Sequence, residues 1–289
     1  MRIICYDRTE EFLVENEGQL CEREAVNNLI LKNAYIHKKE NARNELLFGK
    51  VVDEDDRTQL LFCNVHPFNL IFNSTERYGS RDSIEFLAEY IVHNNIPIKG
   101  INSNAGNCDI FIDRYKPEAG MKLNTRLKLD LMELRKLNDI KLPKGQWRFA
   151  DSGDEELVAD WAEKFRIEAT HEINNDRDFI RHDMKERINK RVIFLYENED
   201  KKVVSMAIVS SRLNNGISIS YVYTDINERN KGYGKAVVYN LCKYNLEEGC
   251  KFCCLFVDQG NPISNRVYAD IGFKKLEDNF DYRLEKDLV

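Results

Sequence analysis

A short turn in the second half of the chain carries the residue types of a phosphate-binding site. The segment Ser220–Tyr244 reads SYVYTDINERNKGYGKAVVYNLCKY, and its pattern predicts a strand, a glycine-containing turn and a helix. A helix begins with backbone N–H groups that lack acceptors and with the positive end of its dipole, so it attracts anions. Gly232 and Gly234 let the backbone approach a phosphate without Cβ atoms in the way. The turn therefore predicts a cradle for a pyrophosphate group.

The side chains around these glycines favour the same chemistry. Arg229, Lys231 and Lys235 add local positive charge to a chain whose formal net charge is −6. Asn230 tolerates a positive φ angle, which a turn that wraps an anion often requires. The composition of the turn is thus consistent with anion binding.

A pair of glycines is a weak signal by itself, and other interpretations compete for this turn. A dinucleotide-binding fingerprint requires a third glycine at the position of Val237. A Walker-type loop requires glycine in place of Arg229 and serine or threonine in place of Ala236. Neither motif matches. A loop that merely connects a strand to a helix stays open from this segment alone.

Hydrophobic periodicity predicts the elements that position the turn. RVIFLYE and KVVSMAIVSS are β-rich and flank the turn NEDK, which predicts a hairpin. GISISYVYT alternates, and we expect Ile217, Ile219, Tyr221 and Tyr223 on one face of that strand. KAVVYNLCKYNLEEG predicts the helix that follows the turn. KFCCLFV is apolar on both faces and predicts a central strand that is covered on both sides.

The remaining segments complete a mixed sheet. SGDEELVADWAEKFRIEAT predicts helical structure before the hairpin, and ISNRVYADIG predicts a short helix after the central strand. FKKLED and DYRLEK predict two final strands. The order αα-β-β-β-α-β-α-β-β predicts an α/β (α+β) fold, in which a mixed, mainly antiparallel sheet is flanked by helices.

The first half of the chain repeats this order more faintly. A helical stretch, three strands, a helix and two further strands are predicted at CEREAVNNLILKNAYIHKK, ELLFGKVV, TQLLFCNV, FNLIFN, SIEFLAEYIVHN, IPIKGIN and TRLKLDLMEL. The boundary is predicted at Asn138–Gln146, where Pro143 and Gly145 lie among polar residues. We interpret the halves as divergent copies of one unit.

Bulk composition excludes several classes of protein. A length of 289 residues fits about two domains, and 43% hydrophobic with 32% charged residues is ordinary for a globular protein. The acidic balance argues against a dedicated nucleic-acid or membrane binder, and no apolar run reaches the length of a membrane span. The acidic N-terminal segment does not resemble a secretory signal. We therefore expect a cytoplasmic protein.

The eight cysteines are expected to be reduced. Cys250 and Cys253 have the spacing of a zinc half-site, but no second pair follows at finger spacing. Cys253 and Cys254 are adjacent in a predicted strand, so their sulfurs would point to opposite faces. We predict buried core thiols and no metal site.

Two motifs in the second half occur in the order and spacing of a known family. Arg229–Gly234 satisfies the acyl-CoA-binding turn Arg/Gln-x-x-Gly-x-Gly/Ala between a strand and a helix. After the next strand, Asn-x-x-Ala/Ser-x-x-x-Tyr and a Gly-Phe pair are matched by Asn261, Ser264, Tyr268 and Gly272–Phe273. This region, about 146–289, resembles the GCN5-related N-acetyltransferase (GNAT) superfamily. With both motifs present, the plain connecting loop becomes the weaker interpretation.

The first half is similar to the N-terminal half of a tandem subgroup in the same superfamily. IKGINSN and MKLNTRLKLDLMEL carry this likeness, whereas the strand-to-helix turn NSTERYGSRDS has only Gly79. The resemblance implies two tandem GNAT-like domains. A degenerate, non-catalytic copy is expected over residues 1–140, and a catalytic domain over 146–289.

The resemblance also implies a reaction, namely acetyl transfer from acetyl-CoA, bound as a co-substrate, to a primary amine in a ternary complex. Backbone amides of the turn would hold the pyrophosphate, and the preceding strand would hold the pantetheine arm. A backbone N–H near Val222 would donate to the thioester oxygen. The residues expected to bind the cofactor are Val222, Tyr223, Thr224, Arg229, Asn230, Lys231, Gly232, Tyr233, Gly234, Lys235, Asn261 and Asn265. For Asn265, an amide on the helix surface is an equal alternative.

Tyr268 is the expected general acid. A departing thiolate with a pKa of about 8.5 can take a proton from a phenol with a pKa of about 10 at modest cost. An aromatic residue packed in the core is the alternative for this position. Glu168, His171 and Glu172 are candidates for the general base, although each is more typical of a solvated surface residue.

Two positions depart from the family pattern. Asn230 stands where glycine is common, which backbone conformation tolerates. Asp225 stands where related sequences often have proline, and its carboxylate would weaken phosphate binding unless it points away. Neither departure excludes activity.

Other functions are compatible with the same fold. The chain could bind CoA without turnover, as a sensor or scaffold, or transfer a different acyl group from a longer acyl-CoA or an aminoacyl-tRNA. The acceptor is expected to be a small-molecule or peptide amine, with no nucleic-acid or membrane partner. The oligomeric state stays open.

Overall fold

The chain divides into two compact units. The structure is a computed structural model that describes residues 1–38, 46–75, 79–118, 120–170 and 176–286. The first unit contains Met1–Leu131 and Leu276–Val289, and the second contains Met132–Lys275.

The two halves of the chain present their elements in one order, β-α-α-β-β-β-α-β-α-β. The first half contains β1 (Arg2–Cys5), α1 (Thr9–Glu22), α2 (Asn28–Ile36), β2 (Leu46–Val52), β3 (Thr58–Val65), β4 (Leu70–Ser74), α3 (Arg81–His93), β5 (Gly100–Ser103), α4 (Ala105–Arg114) and β6 (Met121–Leu134). The second contains β7 (Gln146–Phe149), α5 (Glu155–Thr170), α6 (Arg177–Asn189), β8 (Ile193–Glu197), β9 (Val203–Arg212), β10 (Gly216–Thr224), α7 (Tyr233–Glu247), β11 (Phe252–Asp258), α8 (Pro262–Ile271) and β12 (Lys274–Lys286). The predicted repetition of element order is confirmed.

The differences from the predicted elements are local. The helical stretch predicted at residues 21–39 contains α2 but only the last two residues of α1, so most of α1 was not predicted. The two predicted final strands form the single strand β12. The sequence analysis missed α4 and the strands β1 and β7. Four residues, the length of each of these strands, are too few for a two-residue alternation to be distinguished from chance.

Each unit contains a mixed, mainly antiparallel sheet, as predicted. In the first unit the order is β1-β2-β3-β4-β5-β12-β6, with β4 and β5 parallel. In the second unit the order is β7-β8-β9-β10-β11-β6, with β10 and β11 parallel; the last residues of β6, Met132–Leu134, belong to this unit. The parallel pair in each unit is joined by a helix, α3 or α7, as a parallel connection requires.

The C-terminal strand enters the first unit. The predicted ranges 1–140 and 146–289 take each unit as continuous, whereas residues from Leu276 onward belong with Met1–Leu131. There β12 pairs antiparallel with β5, with Phe280 opposite Ser103 and Arg283 opposite Gly100. Alternation along a strand predicts that it pairs but does not identify its partner, because every open sheet edge offers the same backbone groups.

Helices cover both faces of the second unit's sheet. On one face, α7 and α8 pack through Val237, Leu241 and Ile271 against Ile217 and Ile219 of β10. On the other, the apolar residues of α5 and α6 pack against the opposite side chains of β8, β9 and β10: Val158, Trp161, Ile180, Met184, Leu195, Met206, Ile208 and Tyr223. The predicted doubly covered sheet is therefore present, and β11 is an interior strand of it, next to last in the order.

The predicted alternation along β10 is wrong beyond Ser220. Ser220 lies opposite Ile208 and Tyr223 opposite Met206, so two residues, Tyr221 and Val222, face Ala207 alone. This is a β-bulge, and Tyr221 has a φ angle of +52°. The extra residue moves Tyr221 and Tyr223 to the side of α5 and α6, while Val222 packs on the side of α7.

All eight cysteines are free thiols. Cys253 is buried in the core beneath α7, and its neighbour Cys254 is equally buried. Within the described part of the chain, no group of three or more His, Cys, Asp or Glu side chains is arranged to hold a metal ion.

Candidate functional site

Strands β10 and β11 separate at their carboxyl ends. Their parallel pairing runs from Gly216 opposite Phe252 to Ile219 opposite Leu255. Both strands continue, to Thr224 and Asp258, with no further pairing between them in the described residues. Ligands of open α/β sheets bind outside the carboxyl ends of parallel strands, so this opening is a candidate site.

The bulge lies beside this opening. Bulges interrupt the regular ladder and redirect side chains next to active sites. Val222, whose backbone N–H we predict as the oxyanion donor, is one of the two bulged residues. Its neighbour Tyr221 turns towards α5, where its ring lies 5.0 Å from that of Phe165. The bulge thus places Tyr221 on the face opposite to that of Ile219, two residues earlier.

Thr224 and the turn that follows it are held by local hydrogen bonds. The Thr224 hydroxyl lies 2.9 Å from the Ser205 hydroxyl. Asp225 caps a 3-10 turn over Ile226–Glu228, and its Oδ1 accepts from Asn227 N at 2.9 Å. The carboxylate that departs from the family pattern is therefore engaged within its own turn.

Two left-handed residues lead into helix α7. Asn230 has a φ angle of +63°, the conformation for which the sequence made it suitable, and Gly232 has a φ angle of +84°. Gly232 is the N-cap residue and has no side chain, so no side chain caps the first turn of α7. The first backbone bond of the helix runs from Ala236 N to Gly232 O at 3.0 Å. The N–H groups ahead of Ala236 have no acceptor within the helix and are available to an anion.

Gly234 permits a close approach between this helix and β10. A Cβ atom at Gly234 would lie 3.0 Å from Oγ1 of Thr224, tighter than ordinary van der Waals contact. At Gly232 the nearest atom to such a Cβ, Pro143 Cδ, is 3.6 Å away, so there the left-handed backbone is what requires glycine. Tyr233, between the two glycines, is half-buried, and its ring lies 5.9 Å from that of Tyr196.

The basic residues of the turn are each paired with a carboxylate. Lys231 Nζ donates to Glu228 at 2.8 Å, and Lys235 Nζ donates to Asp270 at 2.5 Å. Arg229 donates to both carboxylate oxygens of its partner, Glu168. The sequence analysis treats these three cations as a source of local positive charge. In the structure the pairing offsets that charge, so the attraction for an anion lies mainly in the helix N-terminus.

Asn261 and Asn265 hold the start of α8. The side chain of Asn261 is the N-cap and accepts from Ser264 N at 3.0 Å. Asn265 donates to Asp258 O at 2.9 Å and to Asn261 O at 2.8 Å. Both amides therefore fix the chain between β11 and α8, the structural role that the sequence analysis left open for Asn265.

Tyr268 lies in the core beneath α7. It is only 7% exposed, and its ring meets that of Phe273 edge-on at 5.7 Å. Burial raises the pKa of the Tyr268 phenol above its usual value of 10.0. The residue is therefore protonated at neutral pH, as a general acid must be, although a higher pKa also makes the proton transfer more costly.

Of the candidates for the general base, Glu168 is described and is bonded to Arg229 at 2.8 and 3.0 Å. His171 and Glu172 lie outside the described residues. The sequence analysis missed Asp270, the partner of Lys235, and the special backbone of Tyr221. No motif marks either position, because each depends on a contact between elements distant in sequence.

The corresponding helix of the first unit, α3, begins with a side-chain cap. Ser80 caps α3, accepting from Ser83 N, where α7 has the bare Gly232. At the ends of its parallel strands β4 and β5, Ser103 donates its hydroxyl proton to Phe72 O, which joins the two strands. The first unit thus satisfies with its own side chains the groups that the second unit leaves open.

The helices in the described part of the chain do not include one both long and apolar enough to cross a bilayer.

Comparison with known proteins finds a family model that matches within the second unit. The sequence model of the Acetyltransferase (GNAT) family matches residues 155–273. No curated protein is significantly similar to the chain.

Several solved structures share the fold at low identity. A GNAT-family acetyltransferase from Colwellia psychrerythraea is 12% identical, with a TM-score of 0.57 over 99% of this chain and 100% of its own. A GCN5-related N-acetyltransferase from Sphaerobacter thermophilus is 12% identical, with a TM-score of 0.62 over 99% and 96%. One from Kribbella flavida is 12% identical, with a TM-score of 0.50 over 78% and 86%. The model of the GNAT acetyltransferase family thus matches residues 155–273, and the chain shares the fold of solved GNAT structures.

Proposed function

We propose that the second unit transfers an acetyl group from acetyl-CoA to a primary amine of a small molecule or peptide, with both substrates bound together. The observation that carries the proposal is the uncapped N-terminus of α7, which begins at the left-handed Gly232. Such a helix end supplies N–H groups and a positive dipole to a pyrophosphate. Gly234 keeps this end close to Thr224, on the strand that would run beside the pantetheine arm.

The chemistry assigns one role to each of two residues. Bound acetyl-CoA supplies the activated acyl group. The backbone N–H of Val222, at the bulge, would stabilise negative charge on the carbonyl oxygen as the amine nitrogen attacks. The ammonium of the acceptor would lose one proton to solvent before the attack and a second as the amide forms. Tyr268 would give its phenolic proton to the sulfur as the carbon–sulfur bond breaks and would then regain a proton from solvent.

The first unit is proposed to be non-catalytic. Its α3 N-terminus is capped by Ser80, and its parallel strands are joined by the Ser103 hydroxyl bond to Phe72 O. A phosphate there would have to displace a side chain that already satisfies the first-turn amide. This contrast with α7 supports a degenerate copy of the fold.

Calorimetry with acetyl-CoA tests the proposal. We expect binding in the micromolar range, which corresponds to about −8 kcal/mol. Gly232→Glu should abolish binding because it places a side chain and a negative charge at the helix end. Gly249→Glu is the matched control, since Gly249 also has a positive φ (+100°) but lies beyond the opposite end of α7, with open space around it.

The outcomes separate the possible functions. Binding that Gly232→Glu removes and Gly249→Glu retains would support the cradle and justify a screen of amines. Binding without turnover of any amine would favour the alternative of a CoA-binding sensor. An intact protein that fails to bind acetyl-CoA would overturn the proposal.

A further inference from the structure

One face of helix α5 contacts both the bulge and the cofactor turn. Trp161, Phe165 and Glu168 have the spacing i, i+4 and i+7, so they lie on one face of the helix. The Trp161 ring lies 5.7 Å from that of Tyr223, and the Phe165 ring lies 5.0 Å from that of Tyr221, tilted by 39°. Glu168, one turn further along, accepts hydrogen bonds from Arg229.

Arg229 joins three pieces of structure. Its Nη2 donates to the two carboxylate oxygens of Glu168 at 3.0 and 2.8 Å, and its Nε donates to Thr224 O at 3.1 Å. Its guanidinium carbon lies 5.3 Å from the centre of the Tyr223 ring. A planar guanidinium held on several sides has one orientation, which a lysine could not reproduce. Arg229 therefore ties the start of the turn to the end of β10 and to α5.

The other basic residues of the turn do not make this connection. In the described structure, Lys231 pairs with Glu228 inside the turn, and Lys235 pairs with Asp270 of α8. The Arg229 and Glu168 side chains are 38% and 47% exposed, and an ion pair so exposed adds little to folding stability. The Arg229–Glu168 pair therefore contributes mainly by fixing the position of the turn relative to α5.

We infer that Glu168 is a positioning residue that couples the cofactor turn to the α5 face at Tyr221. Occupation of the turn stabilises Arg229, Arg229 in turn stabilises Glu168, and the last turn of α5 beside the bulge opens less often. The inference rests on the proposed function, because acetyl-CoA is the ligand whose binding is transmitted. This positioning role explains the contact between Glu168 and Arg229, and it does not require Glu168 to act as the general base.

Hydrogen exchange of the full chain, with and without acetyl-CoA, tests the coupling. In the wild type, acetyl-CoA should slow amide exchange both in the first turn of α7 and in the last turn of α5. In Glu168→Gln the slowing in α5 should be lost while that in α7 persists. The Kd for acetyl-CoA should rise roughly three- to tenfold if the contact positions the turn, whereas release of the Arg229 charge alone would lower it.

Glu163→Gln is the matched control on the same helix. Oε2 of Glu163 lies 3.8 Å from Nε of Arg177 in α6. Like Glu168, Glu163 is a carboxylate of α5 paired with an arginine, but this arginine does not belong to the cofactor turn. This variant should keep the wild-type exchange pattern. The variants Glu168→Gln and Arg229→Gln should also be non-additive in Kd when combined, since they remove the same interaction.

The outcomes are distinguishable. Persistent slowing of α5 in Glu168→Gln, or additive effects of the two variants, would overturn the coupling while leaving the proposed function intact. If α7 in the wild type shows no slowing with acetyl-CoA, the proposed function fails first, and the coupling fails with it.

Discussion

The ammonium of Lys235, in the first turn of α7, lies 2.5 Å from Oδ2 of Asp270, in the last turn of α8. This contact joins the helix of the predicted phosphate site to the helix that carries Tyr268. It also places a carboxylate near the helix end that should receive an anion. Lys235 correspondingly holds the pKa of Asp270 below its usual range, so the carboxylate is ionised at neutral pH.

Asp270→Asn is expected to tighten acetyl-CoA binding. The substitution removes a negative charge from the side chain that pairs with Lys235 but keeps an oxygen acceptor for it. We expect the Kd to fall roughly two- to fivefold and to depend more steeply on salt, because Lys235 then acts as an uncompensated cation. Calorimetry at two ionic strengths would measure both effects.

Glu247→Gln is the control for that prediction. Glu247 pairs with Lys243 at 3.9 Å near the other end of α7, so its removal changes the net charge equally. Equal tightening by both variants would show that net charge, and not the Lys235 contact, is responsible.

Tyr268→Phe is expected to reduce turnover on the order of 10²-fold while acetyl-CoA binding stays unchanged, because only the phenolic hydroxyl that supplies the proton is removed. The measurement is single-turnover kinetics with an amine identified by screening. Tyr244→Phe is a suitable control, since Tyr244 packs against the same core. Wild-type turnover in Tyr268→Phe would exclude the acid role.

Because the Tyr268 phenol is buried, we expect the folded protein to lose stability at alkaline pH. Burial raises its pKa in the folded state above 10.0, so its contribution is complete below pH 10 and is lost as the pH rises towards the folded-state value. Urea midpoints at about pH 8 and about pH 11 should therefore differ more for the wild type than for Tyr268→Phe. Other buried tyrosines titrate equally in both proteins. If the urea midpoint changed equally with pH in the wild type and in Tyr268→Phe, the raised pKa of Tyr268 would be contradicted.

Two buried amides test the place of β12 in the first unit. Asn102 of β5 donates to Asn279 Oδ1 at 3.0 Å, and Asn279 donates back to Asn102 Oδ1 at 3.1 Å. Replacing either residue with alanine should cost about 1–3 kcal/mol, because the partner amide stays buried without its hydrogen bonds. The double variant should cost less than the sum of the two. Urea denaturation of the four proteins would measure this coupling, and additive costs would argue against the pairing of β12 with β5.

The elements around the cofactor turn and the two motifs follow from the local sequence. The strand, glycine turn and helix at Ser220–Tyr244 are encoded locally, since alternation, left-handed residues and helical spacing are properties of neighbouring residues. The same reasoning predicted the repeated order of elements and the positive φ of Asn230. Each of these features follows from interactions over a few positions in the chain.

Contacts between residues that are distant in sequence are set by the tertiary structure. The bulge at Tyr221 depends on the register with Ala207 of the neighbouring strand, and it reversed the predicted faces of β10. The partners of Arg229 and Lys235, Glu168 and Asp270, come from two helices that no local pattern connects to the turn. The residues of β12 alternate as those of a strand should, but this does not identify its partner. The strand pairs with β5, where Asn102 forms a buried hydrogen bond with Asn279. Pairing, register and charge compensation arise between segments far apart in sequence, so the folded chain alone fixes them.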